Sequence, residues 1–160
     1  MKKTINILLS LAFALSLAST VEAKRGSDGQ LNLLYWQAPS TMNPNLSGGT
    51  KELEASSIVL EPFARYDEKG NLLPWLVEVI PTVANGGISK DLTSITWRIK
   101  KGIKWSDGSA LTADDAIFTY EYCSNPDTGC TQSNYWADIK SVTAVNSTTV
   151  KVEFTVPKPF

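Results

Sequence analysis

The sequence predicts an α+β domain, and three observations carry that expectation. Residues 94–100 alternate, with Ile95, Trp97 and Ile99 on one side and Thr96, Arg98 and Lys100 on the other. That is the period of a half-buried strand. Thr112 opens a helical stretch with Asp115 three residues on, the spacing of a capping box with Asp in place of the usual Glu. Residues 139–145 and 148–156 flank an Asn146-Ser147 turn and read as a hairpin. In it Val150, Val152, Phe154 and Val156 point inward, while Lys151, Glu153 and Thr155 point out.

The chain opens with Met1-Lys2-Lys3, then an apolar stretch over residues 5–18, then Val21-Glu22-Ala23. A cationic start, a short apolar run and small residues at a cleavage point make a secretory signal over residues 1–23, cut after Ala23. The apolar run is shorter than the ~20 residues that span a bilayer. No Cys stands at the cut, so nothing supports a lipid anchor. Export leaves 137 residues with a formal net charge of −2. Residues 24–30 read as a loose mature N-terminus, and residues 31–36, apolar and ending in Tyr35-Trp36, as a mostly buried strand. Pro39, Pro44, Gly48 and Gly49 then forbid any regular element. Residues 51–61 carry Leu53, Ser56, Ser57 and Leu60 at helical spacing and stop at Pro62. A short strand over 63–66, a turn over 67–71 and a second turn at Asn85-Gly86-Gly87 lead to the alternating strand. After it, Ala113, Ile117 and Tyr120 form the inner stripe of the capped helix. Cys123 and Cys130 frame Ser-Asn-Pro-Asp-Thr-Gly, which turns back on itself, so in an oxidising compartment they are expected to form a structural disulfide.

Composition closes several function classes. The chain holds no histidine, which removes Ser–His and Cys–His nucleophile pairs and His-based zinc sites from these 160 residues. Its 15 basic and 16 acidic side chains nearly cancel, so the basic excess that a nucleic-acid partner requires is missing. Paired carboxylates are the remaining catalytic candidates. Asp114/Asp115 are explained by helix capping, Asp67/Glu68 by a turn and Glu52/Glu54 by an exposed helix face, and no catalytic residue or metal ligand is assigned. Asn45-Leu46-Ser47 and Asn146-Ser147-Thr148 match the glycosylation pattern, which matters only in a eukaryotic secretory pathway. Five tryptophans are the better clue. Trp97 is expected in the core, Trp105 in a packed loop, and Tyr135-Trp136 exposed just past the cysteine loop. Aromatic surface beside glycine-rich backbone suits a peptide or sugar cleft.

Several segments in order resemble one family. Thr41-Met42-Asn43-Pro44 resembles an "S-L-D-P" turn, and Leu60-Glu61-Pro62-Phe63 with Gly70 through Leu76 resembles a "Y-E-P-L…D-x-x-G-x-x-x-P-x-L-A" stretch. Thr96 through Gly108 resembles "F-x-L-R-x-G-V-K-F/W-x-D-G", continued by Leu111-Thr112-Ala113-Asp114-Asp115. Together these resemble the extracellular solute-binding proteins of family 5, the peptide- and nickel-type receptors of ABC importers. Asn43 stands where the family's Asp is usual, and Ala116 where its Val is.

The resemblance implies an α/β fold of the large, three-lobed periplasmic-binding-protein kind (type II-like), of which this chain would be an α+β part. Residues 24–50 would start lobe one and carry a cleft loop, and residues 51–160 would form a small accessory subdomain, ending before the second lobe. It implies a receptor outside the cytoplasmic membrane, periplasmic or extracellular, that passes a peptide-like solute to a membrane permease. It implies no catalysis, no cofactor and no nucleic acid, and a monomer. Such receptors pair with extended peptides by backbone hydrogen bonds, a form of β-augmentation. The loop after the Asn-Pro turn matches that role, so Ser47, Gly48, Gly49 and Thr50 are the first ligand-binding candidates. Tyr135 falls near a cleft-lining aromatic, and Trp105-Ser106-Asp107-Gly108 is expected to be a structural turn. The alternative, from composition alone, is a free-standing secreted carbohydrate-binding or adhesion module.

Overall fold

The computed structural model describes residues 29, 30 and 32–159, so the expected signal over residues 1–23 lies outside the described residues. The chain divides into two units, residues 1–35 and residues 36–160. In the first, the described residues form no regular element, and Leu34 is fully exposed. Of the buried strand expected over 31–36, the described residues 32–36 form no strand. An apolar run becomes a strand only when a ladder accepts it, and the described residues 32–36 stand in no ladder.

The second unit begins with a loop that ends in a short 3₁₀ helix, Pro44–Leu46, capped by the Asn43 side chain, which accepts from Asn45 N at 2.9 Å. Helix α1 spans Thr50–Ser56, shorter than the residues 51–61 that spacing predicts. Ser56 and Ser57 donate their hydroxyls to the carbonyls of Leu53 and Glu54, competing with the backbone for the last turn, and the β-branched Ile58 and Val59 follow. Serine back-bonding of this kind weakens a helix end. Strands β1 (Ala64–Tyr66) and β2 (Leu72–Pro74) form an antiparallel hairpin around the predicted turn. Asp67 builds that turn by accepting from the amides of Lys69 and Asn71, and Gly70 supplies its left-handed residue, at φ 81°.

A three-stranded antiparallel sheet makes the body of the unit, with β5 (Thr149–Phe154) between β3 (Ser94–Arg98) and β4 (Ile139–Asn146). The register sets Ile95 opposite Val152 and Trp97 opposite Val150, so the alternation places one apolar face against helix α2 (Ala113–Ser124). Ile99, Ala113, Val142 and Val150 form the buried centre, with Phe63, Trp97, Ile117 and Tyr120 packed around it. Val156, expected inward, is exposed because the ladder ends at Phe154. The capping box of α2 is present: Thr112 N donates to Asp115 Oδ2 at 2.7 Å, and the Thr112 hydroxyl accepts from Asp114 N. Trp105 begins the expected structural turn, in which Gly108 N donates to Trp105 O at 2.9 Å and Trp105 N to Ser109 O. Cys123, in the last turn of α2, is bonded to Cys130, and both are buried.

Candidate functional site

Residues 47–49 form the loop before α1, whereas Thr50, expected in that loop, is the first residue of the helix. Ser47 lies at φ −152°, ψ 138° and Gly49 at φ −74°, ψ 140°, both in the β region. That is the backbone shape a strand-like ligand can pair with. A side chain at Gly48 would meet open space, and among the described residues no backbone hydrogen bond engages Gly48. Gly49 is different. A methyl there would sit 2.5 Å from Glu52 Oε2, because the Glu52 side chain folds back over it. Ser47 Oγ accepts from Gly49 N at 3.1 Å, which fixes the loop's own curvature.

Glu52 corrects one expectation. It was expected on an exposed helix face and is instead 2% exposed, whereas Glu54 is on the surface. Its Oε1 accepts from Ser40 Oγ at 2.6 Å, from Ser40 N at 3.0 Å and from Lys51 Nζ, which forms an ion pair with it. Lys51 Nζ also donates to Ala38 O at 3.1 Å. These donors, Lys51 first and then Ser40, lower the Glu52 pKa from 4.5 to about 2. Glu52 and Lys51 are thus a latch that joins Ser40 and Ala38 to the start of α1. Sequence spacing could not find it, since nothing local distinguishes Glu52 from Glu54.

Tyr135 ends the 3₁₀ helix Ser133–Tyr135 and is 75% exposed. Trp136, expected exposed beside it, is half-buried and packs on Tyr120 with ring centroids 6.1 Å apart. The segment before Tyr135 docks on the 3₁₀ helix that precedes the loop. Thr131 N donates to Asn45 O at 2.8 Å, Thr131 Oγ1 to the same oxygen at 3.3 Å, and Gln132 Nε2 to Pro44 O at 2.9 Å. The two parts of the expected site, residues 47–50 and Tyr135, are therefore tied to the same short element. Thr131 and Gln132 carry no motif and were not legible in the sequence.

The other carboxylates are accounted for by local structure. Asn71 and the turn amides lower the pKa of Asp67, and the Ser109 hydroxyl and amide lower that of Asp107. Among the described residues no group of three or more His, Cys, Asp or Glu could hold a metal, and no helix is long and apolar enough to cross a membrane. A separate apolar groove of about 520 Å³ lies between the sheet face and α2, where Trp97, Trp105, Trp136, Val152 and Phe154 line it. Of its polar liners, Thr112 and Asp115 are committed to the capping box, Thr119 Oγ1 donates to Asp115 O, and Glu61 is an exposed carboxylate. The groove continues the core and offers few groups to orient a ligand.

Known proteins carry the same pattern. A family model described as "Bacterial extracellular solute-binding proteins, family 5 Middle" matches residues 78–160. A "Probable ABC transporter-binding protein" of Deinococcus radiodurans is 32% identical over 168 residues, covering 96% of this chain and 27% of the relative. The crystal structure of NikZ from Campylobacter jejuni in complex with Ni(L-His) superposes with a TM-score of 0.65 at 27% identity, over 77% of this chain and 23% of that one. The structure of the oligopeptide-binding protein AppA from Bacillus subtilis, in complex with a nonapeptide, gives 0.66 at 25% identity, over 74% and 22%. The chain thus spans about a quarter of the length of the relatives it matches. With its diagnostic motifs, its α+β fold and the family match over more than half its length, this chain belongs to the bacterial extracellular solute-binding proteins of family 5.

Proposed function

We propose that this chain is the N-terminal part of an exported receptor that captures a peptide-like solute and delivers it to an ABC permease. The observation that carries this reading is the side-chain-free Gly48, open on its surface and flanked by Ser47 and Gly49, whose backbones are both extended. Such backbone pairs with any peptide regardless of its side chains, which suits a receptor for varied sequences. In this reading residues 1–23 direct export to the periplasm or cell exterior, residues 24–50 start lobe one and carry the cleft loop, and residues 51–160 form the accessory subdomain. Ser47, Gly48, Gly49, Thr50 and Tyr135 contact the solute. The receptor works as a monomer without catalysis or cofactor, and closes by a hinge motion that the bound solute favours.

The test is calorimetric titration of the whole protein carrying this chain with random-sequence pentapeptides, nickel–histidine and a set of oligosaccharides. Saturable peptide binding is expected, weakened when Gly48 is replaced by Pro, which removes its backbone donor. Binding of sugars alone, or no effect of Gly48→Pro on peptide affinity, overturns the reading.

A further inference from the structure

The cysteine loop does more than close on itself. Its exit, Thr131 and Gln132, makes three hydrogen bonds to the carbonyls of Pro44 and Asn45, residues 86 to 88 positions away in sequence. Those carbonyls belong to the 3₁₀ helix Pro44–Leu46, and Ser47 follows it directly. Helix-end carbonyls lack partners within their own helix, so these donors satisfy and fix the carbonyls of an element that Asn43 caps at its other end. Thr131 in turn follows Cys130, which is covalently joined to Cys123 in the last turn of α2. Thr128 Oγ1 donates to Tyr122 O at 2.7 Å and keeps the intervening residues folded back on that helix.

We propose that the Cys123–Cys130 loop is a clamp that preorganises the solute-binding surface, with Thr131 and Gln132 as positioning residues for solute capture. This rests on the assignment of residues 47–50 as the ligand loop. One end of that loop is set by the clamp through Pro44 and Asn45. The other end is set by Glu52, which ties the start of α1 to Ser40. Tyr135 stands three residues past Gln132 in the same 3₁₀ turn, whose amide donates to Gln132 O at 3.0 Å, so the clamp positions it as well. A loop fixed at both ends loses little conformational freedom when a ligand pairs with it, and affinity rises by what is not lost.

The experiment compares the wild-type protein with Gln132→Met, which keeps side-chain length but removes the donor, and with the Cys123→Ser/Cys130→Ser double variant. Hydrogen exchange at the Leu46 and Gly49 amides and affinity for random-sequence pentapeptides are read on the whole protein. One lost neutral hydrogen bond corresponds to roughly a fivefold effect. Gln132→Met is expected to speed exchange at Leu46 and Gly49 about fivefold and to weaken peptide binding by a similar factor. Exchange at Thr96 and Val152 in the sheet, and the thermal midpoint, stay within error. A purely structural role would raise exchange throughout or not at all. Unchanged exchange at Leu46 and Gly49 in both variants overturns the clamp. Faster exchange there with undiminished peptide affinity overturns its positioning role while the solute assignment stands. If the wild-type protein takes up no peptide, the solute assignment falls, and the exchange rates alone then decide whether the clamp exists.

Discussion

Glu52 shows how one buried carboxylate can set a loop. It joins Ser40 to α1, while Lys51 beside it holds Ala38, and it lies over Gly49, whose missing side chain leaves the space. Gly49→Ala would force its methyl to 2.5 Å from Glu52 Oε2, so the carboxylate has to shift, and its other oxygen is the one that holds Ser40. The expected outcome is a lower thermal midpoint and loss of slow exchange at the Ser40 amide, and an unchanged Ser40 amide would show that the side chain yields without cost. Gly48→Ala is the control, since a methyl there meets nothing within 4 Å. The pH dependence has a definite sign. Because the pKa of Glu52 falls from 4.5 to about 2 on folding, its contribution is fully present above pH 4.5 and is lost as pH drops toward 2. Glu52→Gln should therefore flatten the stability profile between pH 4.5 and 2, measured by chemical denaturation, and an unaltered profile would sink this account of the latch.

The elements divide by how local their causes are. The period of β3, the turn at Asp67, the hairpin around Asn146 and the capping box of α2 are all local patterns, and the structure has each of them where the residues predict. Helix α1 is overlong in the sequence reading because spacing does not register serine hydroxyls competing for carbonyls. Residues 32–35 have an apolar pattern but stand in no ladder, so they do not form a strand. The candidate site was half legible. Glycines mark the loop, but the Thr131–Asn45 and Gln132–Pro44 contacts join segments more than 80 residues apart, and no window of sequence contains both. Thr112→Ala tests the local kind of cause. Losing a helix N-cap costs about 1 kcal/mol, so denaturation should show that loss, and no loss would mean that tertiary packing alone holds α2. For the cysteine loop, joining residues seven apart is worth about 2–3 kcal/mol in the chain-entropy model. Unfolding midpoints with and without reductant measure that figure.

At the scale of the whole molecule, the apolar groove is the feature with the largest physical consequence. The sheet presents Ile95, Trp97, Val152 and Phe154 on one face, and α2 covers only part of it. A hollow of about 520 Å³ lined by three tryptophans is large enough to admit an apolar aromatic molecule and offers few polar groups to orient one. Apolar surface left in water is unfavourable at roughly 25 cal/mol per Å², so a nonspecific aromatic dye should be drawn there. The 160-residue chain is expected to enhance the fluorescence of anilinonaphthalene sulfonate at neutral pH while folded, with energy transfer from Trp97, Trp105 or Trp136. Thr119→Trp, which lays a ring into the groove from α2, should reduce that enhancement severalfold without lowering the helix signal in circular dichroism. Because Thr119 bonds only back to its own helix, its hydroxyl is dispensable to the sheet. Equal dye binding in the variant would place the dye elsewhere, and dye binding that rises only as the chain unfolds would show that the groove closes in solution.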